Sequence, residues 1–91
     1  MKKRVCLVVH GRVQGVCFRM TVRDKAEEEG ITGWIRNLPD GSVGAVFEGE
    51  SSAIDSLLNF CHRGPPFSRV DNVDLHEEQW SGEFDSFSVR Y

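Results

Sequence analysis

Hydrophobic and polar positions alternate along residues 4–10. Val5, Leu7 and Val9 fall on one side and Cys6, Val8 and His10 on the other, the period of a strand. From Phe18 the period changes. Phe18, Val22 and Ala26 recur every fourth residue, which predicts a helix, and Gly30 stands where that helix would stop. Residues 32–38 and 42–49 predict two strands joined at Pro39-Asp40-Gly41, whose proline and glycine suit a tight turn. Ile54, Leu57, Leu58 and Cys61 then follow the spacing of a second helix. Ser52 is its expected N-cap, with Asp55 three residues on resembling a capping box, and Gly64-Pro65-Pro66 ends it. Residues 70–78 and 84–91 supply strand material on either side of Ser81-Gly82.

The predicted order is β-α-β-β-α-β with a short extra strand at the end. Two helices on one face of a mostly antiparallel sheet would make this an α+β protein, a ferredoxin-like βαββαβ sandwich. A length of 91 residues, 40% hydrophobic and 27% charged, fits one domain over 1–91. Lys2, Lys3 and Arg4 precede an apolar run too short for a signal peptide, and no stretch approaches the roughly 20 apolar residues of a membrane span. A cytoplasmic protein that binds no membrane is expected. Cys6, Cys17 and Cys61 include no Cys-x-x-Cys pair, so they read as reduced thiols, or as one disulfide with a thiol left over.

Charge is distributed unevenly. Residues 1–36 carry eight Lys/Arg against four Asp/Glu, and residues 37–91 carry three against ten, for an overall −3. A small anion would be drawn to the first part, whereas a nucleic acid would meet the acidic remainder, so no nucleic-acid partner is expected.

Within the basic part, Gly11-Arg12-Val13-Gln14-Gly15-Val16-Cys17-Phe18-Arg19 lies between the first strand and the first helix. Glycines at such a junction let successive N–H groups point inward as a nest, and the helix adds its unpaired N-terminal N–H groups. Arg19 supplies a planar charged fork that suits a phosphate. The segment reads as a cradle for phosphate or carboxylate. It is neither a P-loop, which needs Lys-Ser/Thr after the second glycine, nor a Gly-x-Gly-x-x-Gly dinucleotide fingerprint. A plain glycine-rich turn with a surface arginine is the competing account.

A second segment, Gly33-Trp34-Ile35-Arg36-Asn37-Leu38-Pro39-Asp40-Gly41-Ser42-Val43, follows. Together the two resemble the hallmarks of the acylphosphatase family, Gly-x-Val-Gln-Gly-Val-x-Phe-Arg and Gly-Trp-x-x-Asn-x-x-Asp-Gly-x-Val. Gly64-Pro65-Pro66 and the closing Phe87-Ser88-Val89-Arg90-Tyr91 also look like this family. One departure is visible: the family usually has glutamate where Gly44 stands.

The resemblance implies hydrolysis of a carboxyl phosphate to carboxylate and inorganic phosphate, without cofactor or metal, by a monomer acting on a small acyl phosphate. It implies that Arg19 and the main-chain N–H groups of Gln14, Gly15, Val16, Cys17, Phe18 and Arg19 bind the phosphate, and that Asn37 positions the water. The chemistry is consistent with so few residues. The leaving carboxylate has a pKa near ~4 and needs no general acid, so holding the phosphoryl group and aligning water is the work that remains.

Cys17 to Arg23 matches the Cys-x₅-Arg spacing of cysteine phosphatases, but the intervening residues contain no glycine and read as helix. His10, His62 and His76 have no ligand spacing. A non-catalytic ferredoxin-like module that binds a small anion stays open. It differs from the enzyme in not needing Asn37.

Overall fold

The computed structural model describes residues 1–91. Its elements are β1 (Lys2–Arg12), α1 (Phe18–Glu28), β2 (Thr32–Asn37), β3 (Val43–Glu50), α2 (Ser51–Arg63), β4 (Arg69–Glu78) and β5 (Phe87–Arg90). The sheet order is β4-β1-β3-β2-β5. β1 runs antiparallel to β3 and β4, β2 antiparallel to β3, and β5 parallel to β2. Both helices contribute buried residues to one core, so the α+β ferredoxin-like expectation holds.

That core forms where the helix period meets the strand period. Val5, Leu7 and Val9 of β1 and Val43, Ala45 and Phe47 of β3 are buried together with Phe18, Val22 and Ala26 of α1 and Ile54, Leu57 and Cys61 of α2. Phe87 of β5 packs on Phe47 with ring centroids 5.8 Å apart. Burying such side chains is worth about 1.5–3 kcal/mol each. β2 joins through Ile35, and Gly33 lets it approach β3 closely. Gly33 has φ 136°, and a Cβ there would lie 1.9 Å from the Val46 carbonyl oxygen.

α1 ends as the pattern predicts. Gly30 N–H donates to the Glu27 carbonyl and Ile31 N–H to that of Ala26, the paired bonds of a Schellman stop. α2 begins otherwise. The expected Ser52 cap is absent, because β3 runs into the helix without a loop and Glu50 occupies the N-cap position. Ser51 instead donates its N–H and hydroxyl to the Met1 carbonyl, at 2.8 and 2.7 Å. The last strand is also shorter than expected, since residues 79–86 form no strand.

Those residues cross the sheet face opposite the helices and are pinned there by Glu48, whose side chain is fully buried. Its carboxylate accepts hydrogen bonds from the Ser81 N–H and hydroxyl, the Gly82 N–H and the Arg4 guanidinium, at 2.8 to 3.2 Å. Burial opposes ionisation of Glu48, but the Ser81 and Arg4 donors outweigh it and hold the group below the ordinary carboxyl value of 4.5. A lowered folded-state pKa gives stability that is full above the unfolded value and lost as pH falls through the folded one. Glu48→Gln should therefore lower stability at neutral pH by about 2 kcal/mol and flatten the loss on acidification. Urea midpoints of both proteins at about pH 6 and about pH 3 check this. Equal slopes with pH would assign the acid sensitivity elsewhere.

Candidate active site

Residues 13–17 leave the end of β1 and enter α1 with an unusual backbone. Gly15 has φ 75° and Cys17, the N-cap of α1, has φ 62°. Val13 is buried and anchors the loop to the core. The N–H groups of Gln14 to Arg19 find no acceptor in the chain, and the first loop–helix bond is from Thr21 N–H to the Cys17 carbonyl. Cys17 provides no side-chain cap, and the first turn of α1 has no acidic residue. A row of free N–H groups at a helix N-terminus is suited to an anion.

Arg19 projects from the first turn of α1 and is half-buried. Its Nη1 donates to the Arg90 carbonyl at 3.1 Å, and its guanidinium carbon sits 4.7 Å from the centre of the Tyr91 ring. The parallel pairing of β5 with β2 brings residues 90 and 91 there. One carbonyl contact leaves most of the five guanidinium N–H donors free.

Asn37 ends β2, opposite Val43. The β2–β3 turn behind it is closed by Leu38 N–H to the Ser42 carbonyl, 2.8 Å, and Gly41 N–H to the Leu38 carbonyl, 3.1 Å. Asp40 accepts from the Ser42 hydroxyl and N–H, which holds its carboxyl below the usual range. Asn37 Oδ1 is buried and has no hydrogen-bond partner, alone among buried side-chain polar atoms. A buried acceptor left open is rare and calls for a donor from outside the chain.

These groups meet in a cavity of about 310 Å³ lined by Gly15, Cys17, Phe18, Arg19, Asn37 and Tyr91, among others. Of the loop residues predicted from sequence, Gln14 and Val16 do not line it. Gln14 Nε2 donates to the carbonyls of Leu38 and Ser42, at 2.8 and 2.9 Å, and so braces the loop against the β2–β3 turn. That brace explains why the two sequence motifs belong together, and no local pattern in either would have shown it. Met20 and Tyr91 also line the cavity and were missed. Tyr91 was noted only as part of a closing segment.

The Cys-x₅-Arg spacing does not bring its two ends to one site. Phe18 to Val22 are helical, and Arg23 pairs with Asp24 at 3.0 Å and does not line the cavity. All three cysteines are free, and burial pushes the Cys61 thiol up to about 12, so it is inert. No group of three or more His, Cys, Asp or Glu could hold a metal ion. Gly44 lies on the face of the sheet away from the helices, in a recess of about 380 Å³ with Trp34 and Val46, and does not line the site cavity.

A ferredoxin-like sandwich with open N–H donors, an arginine and an orphan amide oxygen near one cavity defines a class of protein: a small α+β protein with a cavity suited to an anion. The family model for acylphosphatase matches residues 5–89. An acylphosphatase of Rubrobacter xylanophilus is 56% identical over 88 residues, covering 97% of this chain and 80% of that protein. One of Geobacter sulfurreducens is 47% identical over the full length of both. The crystal structure of acylphosphatase from Bacillus subtilis superposes with a TM-score of 0.93 at 34% identity, covering 100% of both chains. The structure of an acylphosphatase from Coxiella burnetii gives 0.91 at 40%, covering 98% of this chain and 93% of that one. The chain belongs to the acylphosphatase family, and its activity is acylphosphate hydrolysis.

Proposed function

We propose that the N–H groups of Gln14 to Arg19 and the Arg19 guanidinium hold the phosphoryl group of a small acyl phosphate, and that Asn37 places the attacking water. The observation that carries this is the unpartnered Asn37 Oδ1 in the cavity that Arg19 also lines. A water that donates one O–H to that oxygen turns a lone pair elsewhere, and a phosphoryl group cradled by the loop stands across the cavity from it.

The water oxygen then bonds to phosphorus while the bond from phosphorus to the acyl oxygen breaks. The electron pair leaves with the carboxylate, whose pKa near ~4 makes it stable without protonation. The water proton passes to a phosphate oxygen, and the products are carboxylate and inorganic phosphate. Arg19 and the N–H groups stabilise the charge on the equatorial oxygens, where preorganised donors have most effect. No protein nucleophile, cofactor or metal takes part. In this reading residues 1–91 form one domain that works as a cytoplasmic monomer. No helix is long and apolar enough to cross a membrane.

Phosphate release from benzoyl phosphate in EDTA, with p-nitrophenyl phosphate in parallel, tests the reading. The anhydride should be turned over and the aryl ester left intact, since a phenolate is a poorer leaving group than a carboxylate. Arg23→Leu should make no difference. Turnover of the ester that vanished in Arg23→Leu would restore the cysteine-phosphatase account.

A further inference from the structure

Beside the site cavity lies a second concavity of about 510 Å³, between the anion loop, the first turn of α1 and the connection from α2 to β4. It shares Gly15 and Cys17 with the site cavity, so the two adjoin across the loop. Gly15 leaves the crossing open: a Cβ built there would meet nothing within 4 Å. Val16 lines it from the loop, and Pro65, Pro66 and Phe67 line it from the α2–β4 connection. Arg12, the one charged residue of the lining, forms no ion pair, so the groove favours an anionic substrate.

Phe67 is the unexpected member. Ser68 N–H donates to the Pro65 carbonyl at 3.2 Å and closes a turn in which Phe67, at φ 71°, takes the third position. That position of a type II turn wants glycine or asparagine, and a bulky aromatic there is strained. The ring is 87% exposed, so burial does not offset the strain. Strain held without gain to the fold points to use by a ligand.

Given the reading of residues 14–19 as the phosphoryl cradle, on which this rests, we propose that the groove receives the acyl group of the substrate. The Phe67 ring would be the platform for an aryl or extended alkyl acyl chain. A concavity of this size is within the range that holds small organic ligands. An acetyl group is too short to gain from the ring, whereas a benzoyl group can stack on it. Ring-on-ring contacts of this kind correspond to a preference of about 3- to 10-fold.

The experiment compares kcat and KM for benzoyl phosphate and acetyl phosphate in wild type, Phe67→Gly and Phe67→Tyr, with melting temperatures alongside. Phe67→Gly should raise KM for benzoyl phosphate by about 3- to 10-fold with little change in kcat, and leave acetyl phosphate unaffected. It should also melt higher, because glycine suits the turn. Phe67→Tyr should retain the benzoyl preference. An unchanged KM for benzoyl phosphate in Phe67→Gly, or an equal loss on both substrates, would overturn the acyl subsite while leaving the catalytic reading standing. Inactivity of the wild type on both substrates would overturn the catalytic reading, and the subsite with it.

Discussion

Arg19→Ala should lower kcat/KM for an acyl phosphate by about 10³-fold, a loss of about 4 kcal/mol in transition-state stabilisation. The guanidinium is held in advance by the Arg90 carbonyl at 3.1 Å and the Tyr91 ring, so little freedom is lost when it meets the phosphoryl oxygens. Alanine removes the charge and the paired donors together, while the loop N–H groups remain. Arg19→Lys should recover only a small part, because an ammonium cannot keep the carbonyl contact and present a fork as well. Folding should be little affected, since Arg19 lies outside the buried core. Steady-state kinetics with a melting curve for each variant would decide the matter. Activity within about tenfold of wild type in Arg19→Ala would remove Arg19 from the phosphate site.

Asn37→Ala should separate binding from turnover. Loss of the orphan acceptor leaves a water unaligned, and kcat should fall by about 10²-fold. The affinity for inorganic phosphate, measured as competitive inhibition, should stay close to wild type because the loop and Arg19 are untouched. Stability should hold or rise slightly, since the substitution deletes a buried oxygen that has no partner. A loss of turnover together with phosphate affinity would instead make Asn37 a ligand of the phosphate. Full turnover would end the water-positioning role, and phosphate binding without turnover in the wild type would favour an anion-binding module.

Much of the fold was legible because it rests on periodicity. The alternation around Val5, Leu7 and Val9 and the four-residue spacing of Phe18, Val22 and Ala26 both end in the same buried core. The principal groups of the two motifs, Arg19 and Asn37, come together in one cavity. What escaped depends on partners distant along the chain. Glu48 looked like one more position of a strand, but its burial is made possible by Ser81, Gly82 and Arg4. The Ser52 cap failed because the Met1 carbonyl engages Ser51 and β3 feeds directly into the helix. Gln14 was read through its backbone, while its side chain turned out to join the loop to the β2–β3 turn.

The strand order carries a consequence for how quickly the molecule can form. Only β2 and β3 are neighbours in the sheet joined by a tight turn; Arg4 must find Glu78, Lys2 must find Glu50, and Gly33 must find Phe87. Each such pairing closes a long loop before its contacts compensate the lost chain entropy, and chains dominated by distant pairings fold in milliseconds to seconds. The helices and the β2–β3 hairpin can form and dissolve many times within that interval. Arg19 lies on α1, Asn37 ends β2 and Tyr91 follows β5, so the whole cavity needs the β5–β2 pairing as well as the helix and the hairpin. Catalytic competence therefore arrives together with the slowest event of folding.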